Sequence, residues 1–508
     1  MSKRLNRLQP LSLAAVALFG GSAFAAQVNA DLAAAARRDG QADALIVLKD
    51  QATPSLASLA PGADYKARRR ALVKALRDRA DAQQAGLRAW LDARGIAYQP
   101  FWIANLVHAK LSADDLAALA SRRDISRVEP NPVIAVPLPQ RGSARAPAAQ
   151  TGQAPDSIAW GVSKINAPQV WAAGYNGQGV TIAGEDTGYR WDHPALKPQY
   201  RGWNGSSADH NYNWHDAIHS ANASCPADSP QPCDDNGHGT HTAGTFAGDD
   251  HDTHQTGVAP GAKWIGCRNM NAGNGTPATY IECMQWMLAP TDLKNKNPDP
   301  DKAPDVISNS WTCTVGEGCT VGNEITGAVA NLTSGGILFV AAAANDGPAC
   351  STITNPPAIY SNAFTIGATD SSDRLAGYSS RGPVLFNPRT GSTDVKPEVS
   401  APGSNVYSAY PPATYTSLSG TSMATPHVAG AAALLMSAVP ALKGHPLTVK
   451  QLLMNTATTS GVTDPVDQAC GGTPRTEWPN NMVGHGRIDV FAAYQAAITG
   501  TLNLSEAP

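Results

Sequence analysis

Three segments of this chain set a carboxylate, an imidazole and a hydroxyl among glycines and small residues. They are Asp186 in GEDTG (Gly184–Gly188), His238 in DNGHGTHTAG (Asp235–Gly244) and Ser422 in GTSMATPHVAG (Gly420–Gly430). A serine hydroxyl is a weak nucleophile until a base removes its proton. The base in turn needs a carboxylate to hold its tautomer and steady the imidazolium. Ser422 stands on a Gly-Thr-Ser turn before a helix-forming run, so the pattern presents it at a helix N-terminus, where backbone N–H groups favour a developing anion. Alone, Ser422 or Thr421 would read as a helix cap. With Asp186 and His238 upstream, the three point to acyl transfer.

On these motifs the chain resembles the secreted subtilisin-type serine proteases, the subtilases, over roughly its last two-thirds. A bacillopeptidase-F-like subgroup is one placement within them. The chain order Asp186, His238, Ser422 is the order that family uses. The resemblance implies a doubly wound α/β fold, with Asp186, His238 and Ser422 as catalytic triad and an acyl-enzyme intermediate. A fourth segment, AAAANDG (Ala341–Gly347), follows the apolar run Ile337–Val340 and resembles the part of a subtilase whose asparagine donates to the oxyanion, which singles out Asn345. The family has glycine where this chain has Ala344, so an added methyl borders the specificity pocket that Ala343 and Ala344 would line. Asn309, Ser310 and Trp311, in VISNSW, resemble the segment that pairs with substrate backbone as an added strand. Trp311 reads equally as a core tryptophan.

No cofactor is required for this chemistry. Structural calcium is a family trait, and Asp249, Asp250 and Asp252 form a carboxylate-rich turn, for which a solvated turn is the preferred reading. His241 and His427 read as packing residues, since no His-Glu-x-x-His spacing exists. The implied partners are polypeptide substrates and the chain's own pro-region, acting as intramolecular chaperone and inhibitor, on a monomer. A narrow-specificity processing protease and a catalytically silent binding protein on the same fold are the alternatives.

The 508 residues exceed one domain. Lys3, Arg4 and Arg7, the apolar stretch Leu11–Phe19 and Ala23-Phe24-Ala25 read as a secretory signal peptide over 1–26, too short to span a bilayer. Export follows, to an extracellular, bacterial setting, with no membrane anchor expected. Eight cysteines all lie after residue 224, and in an exported chain disulfides are their natural reading. Cys225/Cys233 and Cys313/Cys319 are close pairs, with Cys267/Cys283 and Cys350/Cys470 then remaining, one set among the 105 pairings that eight cysteines allow. Residues 26–153 carry 18 basic against 12 acidic side chains, and residues 154–508 carry 17 against 29. The two regions should attract each other, and nucleic acid is disfavoured as a partner of the acidic part.

The elements that must position the motifs follow from periodicity. Over 27–137 a strand (43–49), a long Arg-rich amphipathic helix (64–93), a strand pair or one bent strand (98–111), a serine-capped helix (112–123) and an extended segment (125–136) give a split βαβ, ferredoxin-like α+β unit. It resembles the inhibitor-type propeptide of subtilases. A Pro/Ala/Gln/Gly-rich linker over 138–155 would contain the processing site. Over 156–500, strands at 180–183, 264–267, 306–308, 337–343 and 363–368 alternate with helices at 240–246, 280–288, 322–331, 423–437, 448–454 and 490–497. That alternation argues for a parallel sheet covered on both faces, whose carboxyl edge gathers function. Residues 501–508 read as a tail.

Overall fold

The computed structural model describes residues 26–51, 63–135, 157–314, 319, 324–385 and 394–500. The expected signal peptide (Ala26 apart), processing linker and tail lie outside these residues.

The N-terminal unit runs β1 (Gln27–Val28), α1 (Ala30–Asp39), β2 (Ala42–Leu48), α2 (Tyr65–Asp92), β3 (Tyr98–Phe101), β4 (Leu106–Leu111), α3 (Ala113–Ala120), β5 (Ile125–Pro130) and β6 (Ile134–Ala135). Helix starts are chemically marked. Asp64 accepts from Ala67 N at 2.8 Å, and Ser112 forms a reciprocal capping box with Asp115. The expected segment 98–111 is a strand pair, with β3 antiparallel to β4. The sheet order β1-β5-β2-β4-β3 is the ferredoxin-like arrangement with β1 added parallel to β5. Neither β1 nor α1 was expected; their alanine-rich stretch gives a weak apolar period.

In the larger region, seven strands form one parallel sheet: β7 (Thr181–Asp186), β8 (Trp214–Asp216), β9 (Lys263–Arg268), β12 (Val306–Asn309), β13 (Leu338–Ala342), β14 (Phe364–Thr369) and β15 (Val399–Pro402). Two short strands, β10 (Met270–Asn271) and β11 (Asn274–Gly275), stand outside it. The order is β15-β14-β13-β12-β7-β9-β8. Helices cover both faces, so the central strands are apolar on both sides. On one face lie α4 (His238–Ala247) and α7 (Thr421–Ala438), and on the other α5 (Pro277–Leu288) and α6 (Glu324–Ser334). Helices α8 (Pro446–Asn455) and α9 (Val490–Thr499) follow. α7 is buried from Thr421 to Ser437, which its small residues allow. The hairpin β16 (Val406–Tyr410) and β17 (Thr414–Leu418) leads into α7.

All eight cysteines are paired, as Cys225–Cys233, Cys267–Cys283, Cys313–Cys319 and Cys350–Cys470.

The N-terminal sheet rests on α5 and α6. Leu45, Val47, Leu72, Leu76, Phe101 and Ile103 share one apolar cluster with Ile281, Met284, Met287, Val329 and Leu332. Gln285 accepts from Trp102 N and Ile103 N at 2.6 and 3.2 Å, and Asn331 Nδ2 donates to Ile103 O at 2.6 Å. β6 then pairs antiparallel with β11.

Candidate active site

Asp186 is the last residue of β7 and His238 the first of α4, so the carboxylate and the imidazole meet where a strand ends and a helix begins. The approach depends on Gly239: a Cβ there would lie 2.0 Å from Gly188 O. His238 Nδ1 bonds Asp186 Oδ1 at 2.7 Å, and that oxygen also accepts from Thr187 N at 2.7 Å. A carboxylate can only accept, so Nδ1 carries the proton and Nε2 is left as the acceptor. Nε2 has no hydrogen-bond partner, and the side chain is buried.

Ser422 is the second residue of α7, where backbone N–H groups have no acceptor within the helix. Its hydroxyl donates to Ser310 O at 3.1 Å and makes no hydrogen bond to His238 Nε2. Ser310 Oγ donates back to Ser422 O at 2.9 Å. Pro426, four residues on, has no N–H to give to that carbonyl, and the Ser310 hydroxyl takes its place. The end of β12 and the start of α7 are thus joined in both directions.

Asn345 follows β13 and is exposed. Its Oδ1 accepts from Thr421 N at 2.8 Å and from Thr421 Oγ1 at 3.1 Å. A backbone N–H only donates, which fixes the amide orientation and leaves Nδ2 as a donor on a side chain anchored at Thr421, the residue before Ser422. Ala344 stands before it at φ 79°, in the left-handed region, where a Cβ is strained.

The remaining candidates divide. Asn309 is buried and donates to Val340 O at 3.1 Å, along the sheet. Ser310 touches Ser422 as described. Trp311 is buried and stacks on Tyr280, with ring centroids 4.0 Å apart and planes at 8°. Ala343 lies in the same apolar cluster, its N–H bonded to Ile366 O at 3.1 Å.

His241 bonds the carbonyls of Val406 and Thr416, holding the β16–β17 hairpin to α4, and burial lowers its ring to about 3. His427 bonds Met423 O at 2.8 Å, and burial lowers it to about 4. Both are neutral structural imidazoles. In the acidic turn, Asp250 accepts from the N–H groups of Asp252, Thr253 and His254, from His254 Nδ1 and from Tyr415 OH. Asp249 accepts from His251 N. These oxygens already serve the chain's own donors.

Sequence reasoning missed Asp234, whose carboxylate joins Thr187 to the first turn of α4. An aspartate just ahead of a helix start is a recognisable capping signal.

The profile of the Subtilase family matches residues 177–486. Bacillopeptidase F of Bacillus subtilis (strain 168) is 34% identical over 487 residues, 90% of this chain and 31% of that protein, so the chain spans about a third of its length. Subtilisin Savinase of Lederbergia lenta is 33% identical over 313 residues, 61% of this chain and 94% of that protein. Subtilisin DY of Bacillus licheniformis is 35% identical over 307 residues, 60% and 93%.

Proposed function

The chain belongs to the subtilase family of serine proteases, and from that premise we propose that it is a secreted endopeptidase, matured from a precursor, in which Asp186, His238 and Ser422 act as a triad. The single observation that carries this reading is the 2.7 Å bond from His238 Nδ1 to Asp186, with Nε2 open. A rotation of Ser422 about χ1 would exchange Ser310 O for that nitrogen. His238 then takes the hydroxyl proton as Oγ attacks a peptide carbonyl. Asn345 Nδ2 and Ser422 N receive the oxyanion. One such donor supplies about 3–4 kcal/mol, a figure that itself comes from a subtilisin. His238 returns the proton to the leaving amine, and water releases the acyl group by the reverse path. Asp186 holds the ring throughout.

Residues 27–137 serve as inhibitor and folding aid, 138–155 as the segment that is cut, and 156–500 as the catalytic domain, working as a monomer on extracellular polypeptides. The docking of the N-terminal unit on α5 and α6 supports this assignment, as does the seating of β6 on β11 beside the Tyr280–Trp311 stack. The alignment with Bacillopeptidase F over 90% of the chain also supports it. The chemistry uses only the chain's own groups; a structural calcium ion, as in many subtilases, remains part of the proposal. Among the described residues no helix is long and apolar enough to cross a membrane.

The test is intact mass over time for the purified chain beside Ser422→Ala. Shortening of the wild type alone, within 138–155, establishes self-processing by Ser422. If both stay full length, the silent binding reading gains. If both shorten, another protease makes the cut, and hydrolysis of an added peptide decides.

A further inference from the structure

Asp234 takes no part in the steps above, yet five hydrogen bonds converge on it. Oδ1 accepts from Thr187 Oγ1 at 2.9 Å, Asn236 N at 3.0 Å and Gly237 N at 2.8 Å. Oδ2 accepts from Thr240 N at 3.0 Å and Thr240 Oγ1 at 2.5 Å. Helix α4 starts after Gly237, at φ 97°, which has no side chain to cap it. The carboxylate three residues upstream supplies the missing acceptor at the positive end of the helix.

A cap alone would stop there. This one also grips the strand that carries the acid. Thr187 follows Asp186 directly: its N–H donates to Asp186 Oδ1, its hydroxyl to Asp234, and that hydroxyl accepts from Gly239 N at 3.1 Å. Thr240 does the converse, donating to Asp234 while its hydroxyl accepts from Arg190 N at 2.9 Å. The backbone closes the same seam through a Gly188–Asp234 bridge and the bond from Tyr189 N to Cys233 O at 2.9 Å. One carboxylate therefore ties the end of β7 to the beginning of α4, and those two ends carry Asp186 and His238.

We propose that Asp234 is a positioning residue for the Asp186–His238 pair, setting their separation and the aim of Nε2. The inference rests on the triad reading above. Misplacing a reacting group by about 1 Å can cost on the order of a hundredfold in rate. Asp234→Asn keeps the volume and turns an amide N–H toward Thr240 N–H, which breaks half of the link.

The experiment compares the matured forms of wild type, Asp234→Asn, Thr240→Val, Asp235→Asn and Ser422→Ala on one peptide substrate, with thermal midpoints and the low-field proton resonance of His238 Nδ1–H. Where self-processing fails, a second protease makes the cut. Asp235→Asn controls for stability alone, since Asp235 bonds Arg268, Asn222 and Ala272 N rather than α4. The expected result is a kcat for Asp234→Asn at least about tenfold down, with KM within twofold and a weakened resonance, while Asp235→Asn lowers the midpoint and keeps kcat. A kcat within twofold of wild type for Asp234→Asn, whatever its midpoint, overturns the proposal. If that variant does not fold, Thr240→Val decides by the same criterion. Full activity in Ser422→Ala would instead sink the triad reading itself.

Discussion

Glu185 stands one residue before Asp186, with both carboxylate oxygens buried and unbonded. Its register partners are Cys267 on β9 and Asn309 on β12, neither of them a cation, and burial raises its carboxyl well above the usual range. In the fold burial favours its protonated form, whereas in the unfolded chain it ionises near its ordinary value of 4.5. Unfolding then releases a proton, so this residue's contribution to stability falls as pH rises above that value, by up to about 1.4 kcal/mol per unit. We expect Glu185→Leu, in a Ser422→Ala background that prevents autolysis, to be more stable than its parent. The gain should be larger at pH 9 than at pH 5, read from urea midpoints; an equal gain at both would contradict the assignment. Ala344 offers a second case. Its φ of 79° costs an alanine about 1 kcal/mol that glycine does not incur. Ala344→Gly should therefore raise or hold the thermal midpoint, although glycine usually lowers it through chain entropy.

Between β12 and α7 the Ser310 hydroxyl, donating to Ser422 O, replaces the bond that Pro426 removes from the helix. Ser310→Ala strands a buried carbonyl, a loss of about 1–3 kcal/mol, which chemical denaturation of the Ser422→Ala parent would show. At this scale the sequence was legible where a motif or a period was strong. Helix α2 was expected over 64–93 and spans Tyr65–Asp92; β7, β9, β12, β13 and β14 fell where apolar runs placed them. Strands β8 and β15 were missed. Trp214–Asp216 is three residues with two polar side chains, and Val399–Pro402 is an edge strand ending in proline. Asp186, His238 and Ser422 could be named because glycines marked their turns. The capping half of Asp234 was readable from its place just ahead of α4, but its grip on Thr187 and the Ser310–Pro426 compensation are contacts between elements far apart in sequence, which no local pattern announces. Trp311, balanced between two readings, is buried on Tyr280, so only its backbone would meet a substrate.

The molecule as a whole is two folds joined at an apolar surface that also holds buried polar contacts, among them a guanidinium. Arg69 of α2 is buried, donating to Gly335 O at 2.6 Å just past the end of α6 and to Pro300 O at 3.4 Å. A guanidinium at the negative end of a helix, desolvated at the centre of an interface, has the marks of an energetic hot spot. After the linker is cut, Arg69→Ala should let the N-terminal unit leave roughly thirtyfold faster, a loss of about 2 kcal/mol. Size-exclusion of the processed complex over time would read this, and unchanged retention would show that the apolar cluster and the remaining hydrogen bonds hold the unit without Arg69. The tether itself has a further consequence. While residues 136–156 are intact, the two halves meet at an effective concentration fixed by the length of that segment, commonly in the millimolar range, however dilute the solution. A single cut makes the same contact bimolecular. On the proposed inhibitory role, inhibition would then depend on how many molecules share a volume: it would persist in a crowded compartment and lapse once the protein disperses into open medium.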